Sequence, residues 1–272
     1  MKNILITGCS SGIGYDTAHY LHKNGYKVYA SARDQKDVDR LKNEGLDTYL
    51  LDVRDSTQIK NVLDNIIKKD GEIYAVFNNA GYGQPGAVED ISTSVLKEQF
   101  ETNFFGLHEL TNQTLKIMRK QGYGRILQHS SVLGIISLRF RGAYNASKYA
   151  IEGICDTLRL ELMDTDIYIS TINTGPVQSD FRKNATKMFE KNVDYDESLW
   201  KNEYDVELLD RKESKDTDIF TKESDVVIKN ILHALSAKKP RPRYYNTLAT
   251  HLLGGFKRLL PTSMLDRALV KI

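Results

Sequence analysis

Cysteine is scarce in this chain: Cys9 and Cys155 are the only two among 272 residues, and they stand far apart. That pair gives neither a disulfide framework nor a cluster of thiolate ligands, so reduced thiols in a reducing, cytoplasmic compartment are expected. The six histidines suggest no metal either, because His19 and His22 share one short helical pattern with no carboxylate or cysteine set beside them. A net charge of only +2 argues against a whole-surface nucleic-acid binder, and no nucleic-acid partner is expected. Long apolar runs are missing too. The opening MKNILITG is too short for a signal-peptide core, and no later window approaches the length of a membrane span. What remains is near the globular average, 40% hydrophobic and 27% charged, which allows a sizeable core and, by default, one large domain over residues 1–272.

Short apolar runs alternate with helix-length segments: NILIT, KVYASA, TYLLDV, YAVFNNA, RILQHSS and IYISTIN. This alternation implies an α/β fold, a single doubly wound domain whose parallel sheet is covered by helices on both faces. The runs are nearly continuous, as central strands buried on both sides should be. Gly25 reads as the left-handed stop of the first helix. Ser92 to Gln121 and Tyr144 to about Thr165 read as long helices with apolar faces. Beyond TGPVQSDF, residues 182–222 are charged and weakly periodic, with Tyr195, Trp200 and Tyr204 among them. Such an excursion is either a substrate lid or an exposed variable segment.

The chemistry concentrates in AYNASKYA. Tyr144 and Lys148 are four residues apart, so on a helix the phenol and the ammonium share one face. A cation beside a phenol lowers its pKa from roughly 10 toward working pH, which suits a proton-transferring tyrosine. Upstream, Gly8, Gly12 and Gly14 follow the first strand and open a helical pattern. Glycines there permit a tight turn and close approach of a pyrophosphate, and the helix N-terminus supplies oriented N–H groups.

In these features the chain resembles the short-chain dehydrogenase/reductase family, in its single-domain oxidoreductase branch. TGCSSGIG matches the glycine motif, NNAG (Asn78 to Gly81) the central-strand motif, and NFFG, beginning at Asn103, the active-site asparagine motif. Ser131 and the Y-x-x-x-K pair Tyr144 and Lys148 fall at the usual interval, 144 − 131 = 13. Two departures are Thr174-Gly175-Pro176-Val177-Gln178-Ser179 in place of P-G-x-V-x-T, and Leu127-Gln128-His129-Ser130-Ser131 in place of N-I-S-S.

The resemblance implies a Rossmann fold and a nicotinamide nucleotide that exchanges hydride with a carbonyl or carbinol carbon. The nucleotide would be held by Gly8, Ser10, Ser11, Gly12, Ile13 and Gly14, by Arg33, by Asp52 and Val53, and by Asn79, Ala80 and Gly81. Tyr144, Lys148, Pro176, Val177 and Ser179 complete the set. Tyr144 would be the general acid or base and Lys148 would lower its pKa and hold the nicotinamide ribose. Ser131 would bind the substrate oxygen, and Asn103 would interrupt its helix and hold a water leading from Lys148 toward solvent. Ala32 stands where NAD-preferring relatives carry an acid, and Arg33 beside it can bind a 2′-phosphate, so NADP (NADPH) is expected; Asp34, one residue on, argues for NAD. Asp52 would contact adenine or simply form a turn.

Val132, Leu133, Ile135, Ile136 and Leu138, with Phe181 and Met188, would wall a pocket for a lipophilic ketone, aldehyde or alcohol. Arg139 and Arg141 either recognise an anionic group or are solvated. The family's long helices lead one to expect a homodimer or homotetramer. From Lys238 onward, eight basic residues face the single acid Asp266, a local +7, which leaves −5 for residues 1–237. In this extension, 238–272, Leu252, Leu253, Phe256, Leu259 and Leu260 form an apolar stripe. The stripe could pack on the protein's own body, the expected outcome, or serve a subunit interface, or lie on a membrane through residues 251–272. Two rivals remain: a dinucleotide-binding redox sensor without turnover, and an epimerase or dehydratase, whose usual glycine spacing differs.

Overall fold

The computed structural model describes residues 1–177, 180–206 and 223–270. The apolar runs become β1 (Asn3–Ile6), β2 (Lys27–Ala32), β3 (Asp47–Leu50), β4 (Ala75–Asn78), β5 (Tyr123–Ser131) and β6 (Asp166–Thr174), and a short β7 (Arg243–Tyr245) follows. Between them lie α1 (Gly12–Lys23), α2 (Gln35–Asn43), α3 (Ser56–Asp70), α4 (Thr93–Phe100), α5 (Gly106–Gln121) and α6 (Gly142–Glu161). Then come α7 (Phe181–Asn192), α8 (Lys201–Tyr204), α9 (Asp225–Ser236), α10 (Leu248–Leu259) and α11 (Thr262–Leu269).

Every strand pairing is parallel, in the order β3-β2-β1-β4-β5-β6-β7. Winding therefore reverses between β1 and β4, the place where doubly wound sheets open a crevice at their carboxyl edge. Side chains alternate across the sheet. Ile4, Ile6 and Phe77 face one layer with Leu21 of α1 and Ile231 of α9, while Leu5, Val76 and Ile126 face the other with Ile66, Leu110 and Ile151 of α3, α5 and α6. Every residue of β1 and β4 is buried, which is why those runs show no polar alternation. Gly25, at φ +83°, takes the left-handed conformation just beyond α1, as expected.

Two expectations about the chain's end change. The extension 238–272 is not all appendage, because Arg243–Tyr245 pairs with Thr171–Asn173 and forms one edge of the sheet. Arg243 holds that edge to α6, donating to Glu152 (2.9 Å) and to Asp156 (2.6 and 2.7 Å), while Asn173 of β6 donates to the other oxygen of Glu152 (2.6 Å). Next, the stripe on α10 settles on the body only in part, with Leu253 and Leu260 half-buried. Thr250 and Gly254 face inward, and Leu252, Phe256 and Leu259 are exposed.

Replacing Arg243 with alanine would take its cation from Glu152, a carboxylate buried at the sheet edge, and leave it the hydrogen bond from Asn173. A loss of about 3 kcal/mol is expected, or roughly 6–10 °C in Tm for a chain of this size, measured by thermal unfolding followed by circular dichroism.

Candidate active site

The carboxyl ends of β1, β4, β5 and β6 open into one cleft of about 860 Å³. At one end is the turn between β1 and α1. Gly8 (φ +70°) and Gly12 (φ +60°) adopt left-handed backbone, and a Cβ on Gly8 would lie 2.8 Å from the Cα of Ala80. Ser11 makes no side-chain cap and the first turn of α1 carries no acid, so that helix end offers free N–H groups and positive potential to an anion. Ser10, Ser11, Gly12 and Ile13 line the cleft there, with Ala80, Gly81 and Asn79 opposite.

Gly14 has a different part from the one expected. It is not in the cleft wall; a Cβ on it would meet the Gly8 carbonyl and the Asn79 amide at 2.4 Å, so its small size lets α1 pack against the end of β4. Farther along, Arg33, Asp34, Asp52 and Val53 line the cleft together with Arg54. Arg54 forks onto Asp52 through Nε (2.9 and 3.1 Å) and holds its carboxyl below the usual range. Pro176 and Val177 line the other end; Ser179 lies outside the described residues.

Ser131 ends β5, and Tyr144 and Lys148 stand one turn apart on α6; all three are buried and line the cleft. The Lys148 Nζ is 5.6 Å from the centre of the Tyr144 ring and donates to the backbone carbonyl of His129 at 2.6 Å. The expected acidity of the phenol is not what burial produces. Burial pushes Tyr144 up to about 12, with hydrogen bonding to Ser131 pulling the other way, and burial brings Lys148 down to about 8 against the pull of Glu152. In so dry a site, desolvation outweighs a cation that is itself disfavoured and already turned to a carbonyl.

Asn103 does interrupt its helix, lying in a single π-helical turn, Glu101–Phe105, between α4 and α5. Its side chain accepts from Tyr82 N (3.0 Å) and donates to Tyr82 O (2.9 Å) and Ser147 Oγ (3.3 Å). Those bonds tie the segment after β4 to α6 at Ser147, the residue before Lys148. Of the expected apolar wall, Val132, Leu133, Leu138, Phe181 and Met188 line the cleft. Ile136 is instead fully buried, and Ile135 lies outside the wall. Arg141 lines the cleft too, whereas Arg139 stacks on Phe140 and Trp200.

His129 is the functional residue that sequence reasoning missed. Asn79 donates its amide to the carbonyls of Thr7 (2.9 Å) and Gly8 (3.0 Å), so its Oδ1 must accept from His129 Nδ1 (2.9 Å). The ring is neutral, driven down to about 3 by burial and by the charge of Lys148, so its Nε2 accepts from Thr174 Oγ1 (3.0 Å). Asn246, just past β7, donates to the same threonine oxygen (3.4 Å) and to Asn173 O (3.1 Å). The glycine turn, the end of β4, the end of β5 and the Thr174–Val177 turn are thereby fixed to one another. The signal was present as the departure from the family's strand-end motif, but only the register of β5 against β6 shows what the histidine reaches.

Substituting His129 with alanine strands Asn79 and Thr174 and should raise the KM for nucleotide roughly tenfold, about 1.4 kcal/mol. His129→Asn should recover the Asn79 contact and His129→Gln the Thr174 contact. Steady-state kinetics on the three variants checks this, and no ionisation of His129 should enter the pH profile between about 5 and 9.

Comparison with known proteins agrees with this geometry. The family model described as short chain dehydrogenase matches residues 2–190. The uncharacterized oxidoreductase YbbO of Escherichia coli (strain K12) is 37% identical over 270 residues, 98% of this chain and 94% of the relative. Human 17-beta-hydroxysteroid dehydrogenase type 1 is 31% identical over 259 residues, 90% of this chain and 77% of its own length. A short-chain dehydrogenase from Streptomyces avermitilis superposes with TM-score 0.79 at 26% identity, covering 98% of this chain and 93% of that one. The same fold is seen in a Burkholderia phymatum protein in complex with NAD (22% identity, TM-score 0.77, 95% and 92% coverage) and in ElxO with NADP bound (23%, 0.72, 90% and 96%). With the doubly wound sheet, the glycine turn and the Ser131, Tyr144 and Lys148 cluster in place, this chain belongs to the short-chain dehydrogenase/reductase family and is an oxidoreductase of CH–OH and C=O groups.

Proposed function

We propose that this enzyme interconverts a lipophilic ketone or aldehyde and its alcohol, using NADP(H), with Tyr144 as the acid and base. The observation that carries the reading is one cleft holding both an uncapped, acid-free helix N-terminus suited to a pyrophosphate and the buried Ser131, Tyr144 and Lys148 cluster. The residues present fit a dinucleotide: the left-handed Gly8 and Gly12 leave room beside the first turn of α1, and Asn79 to Gly81 face it.

When bound, the nucleotide supplies or accepts the hydride. Tyr144 gives its proton to the carbonyl oxygen in reduction and takes it back in oxidation. With a phenol pushed up to about 12, the proton rests on Tyr144 until charge develops on the substrate oxygen, which matches the role of an acid. Ser131 hydrogen-bonds that oxygen and stabilises its negative charge. Lys148 keeps a positive charge beside the phenol as the proton leaves. Asn103 holds the wall through Tyr82 and Ser147; a proton path from Lys148 through it rests on the family resemblance.

The choice of NADP rests on Ala32, whose methyl cannot oppose a phosphate, and on Arg33 beside it at the far end of the cleft; Asp34 in the same wall limits the preference. The substrate class rests on Leu133, Leu138, Phe181 and Met188, with the Phe181 ring 5.4 Å from that of Tyr144. The steroid-acting relative carries the same implication. In this reading the excursion from Phe181 covers the substrate. Two copies pair through the face of α4 and α5 and the π-helical turn between them, where Leu96 and Phe105 remain exposed.

Tyr144→Phe should reduce turnover at least about 100-fold while NADPH titration still shows binding. A variant that retained turnover would sink the assignment, and a wild type inert toward every carbonyl would favour the sensor. Arg33→Ala should weaken NADPH roughly tenfold and leave NADH nearly unchanged. A wild-type preference for NADH would overturn the choice of nucleotide.

A further inference from the structure

Helix α10 is mounted with its apolar side outward. Thr250 and Gly254 face the body, the latter against the Tyr245 ring, whereas Leu248, Leu252, Phe256 and Leu259 are 62%, 47%, 44% and 81% exposed. These four lie at i, i+4, i+8 and i+11, one stripe along the helix. Beyond Pro261, α11 buries Leu265 and leaves Met264 54% exposed. Lys257, Arg258 and Arg267 are exposed on the same two helices. A stripe of leucines and phenylalanine held toward solvent wants a partner, because a helix gains nothing by hydrating that face.

We propose that the outer face of α10 and α11 docks on an anionic lipid surface, with Leu252, Phe256 and Leu259 in the acyl boundary and Lys257, Arg258 and Arg267 toward headgroups. Charge selects this occupant over a second copy. On α10 and α11 the exposed Lys257, Arg258 and Arg267 stand against the single exposed acid Asp266, a local +2, whereas residues 1–237 sum to −5, so an anionic surface favours this face over the rest of the chain. Two stripes paired across a two-fold axis would instead bring the cations of both copies together. Among the described residues no helix is long and apolar enough to cross a membrane, so contact is along the surface.

The inward side of the same helix adjoins the cleft. Thr247 and Thr250 sit against Gly175, where a Cβ would come within 2.2 and 2.8 Å of their hydroxyls, and α10 packs on the Val132–Gly134 turn that follows Ser131. On the reading of a lipophilic substrate, such a molecule would pass from bilayer to cleft without crossing water; the docking itself does not depend on that reading.

Flotation of the full chain with vesicles tests the proposal without any turnover. Equal parts phosphatidylglycerol and phosphatidylcholine should recruit the wild type, phosphatidylcholine alone much less, and added salt should weaken recruitment. The triple variant Leu252→Ser, Phe256→Ser and Leu259→Ser should partition about tenfold less into the anionic vesicles, with its Tm preserved because these side chains are exposed. The variant Lys257→Gln and Arg258→Gln should lose the preference for phosphatidylglycerol. Failure of the wild type to float with either vesicle overturns the proposal. So does a wild-type dimer, seen by sedimentation, that the triple variant converts to monomer, since a second copy would then cover the stripe.

Discussion

Asn79 at the end of β4 lets four separate strands behave as one site. Its amide donates to the carbonyls of Thr7 and Gly8, its oxygen accepts from His129 Nδ1, and through that ring it is joined to Thr174 at the end of β6. Each bond exists because parallel pairing in fixed register brings the carboxyl ends of neighbouring strands level with one another; β5 and β6 alone pair over nine residues. A shift of one residue would turn His129 to the other face of the sheet and break the chain of bonds. Geometry at the nucleotide end and at the reacting end is therefore not independently adjustable.

Burial gives the reacting groups a balance that spacing alone does not describe. The burial that raises Tyr144 to about 12 also lowers Lys148 to about 8, pushing apart a phenol and an ammonium that ordinarily titrate close together and favouring the uncharged form of each. Glu152 restrains the fall of Lys148, and Glu152 is itself held by Arg243 and Asn173. Through that carboxylate the last strand of the sheet, far along the chain, bears on the charge of the lysine beside the phenol.

Local pattern carried much of this. Six of the seven strands, the long helices, the glycine turn and the cluster of Ser131, Tyr144 and Lys148 could be read from continuous apolar runs and from spacing on one helix. What escaped was set by tertiary context. β7 is three residues that follow Pro240-Arg241-Pro242, with no periodicity to mark it, and it is a strand because β6 offers an open edge and Glu152 and Asp156 await Arg243. Gly14 reads as a ligand contact because it belongs to the glycine motif, yet its constraint comes from Asn79 and the Gly8 carbonyl. The stripe on α10 was visible, but its direction was not: which face turns inward depended on Thr247, Thr250 and Gly254 fitting against Gly175 and Tyr245.

The end of the cleft nearest Phe181 is built on different principles from the end at the glycine turn. Phe189, Val193 and Tyr204 from the excursion after β6 join Ala87 and Phe140 in a small cluster of their own, apart from the two layers over the sheet. Phe140 accepts φ +55°, an unfavourable angle for a bulky residue, to place its ring edge-on to Tyr204 and Trp200. The Tyr204 hydroxyl then donates to Asp90 (2.5 Å) and accepts from the Ala87 amide (2.7 Å), pinning the excursion to the segment between β4 and α4. Strain at Phe140 is tolerable because that ring closes the cluster, and the cluster in turn carries α7 with Phe181 to the Tyr144 ring. None of its members belongs to the two layers over the sheet, so this wall of the cleft is built independently of the packing that aligns Asn79, His129 and Ser131.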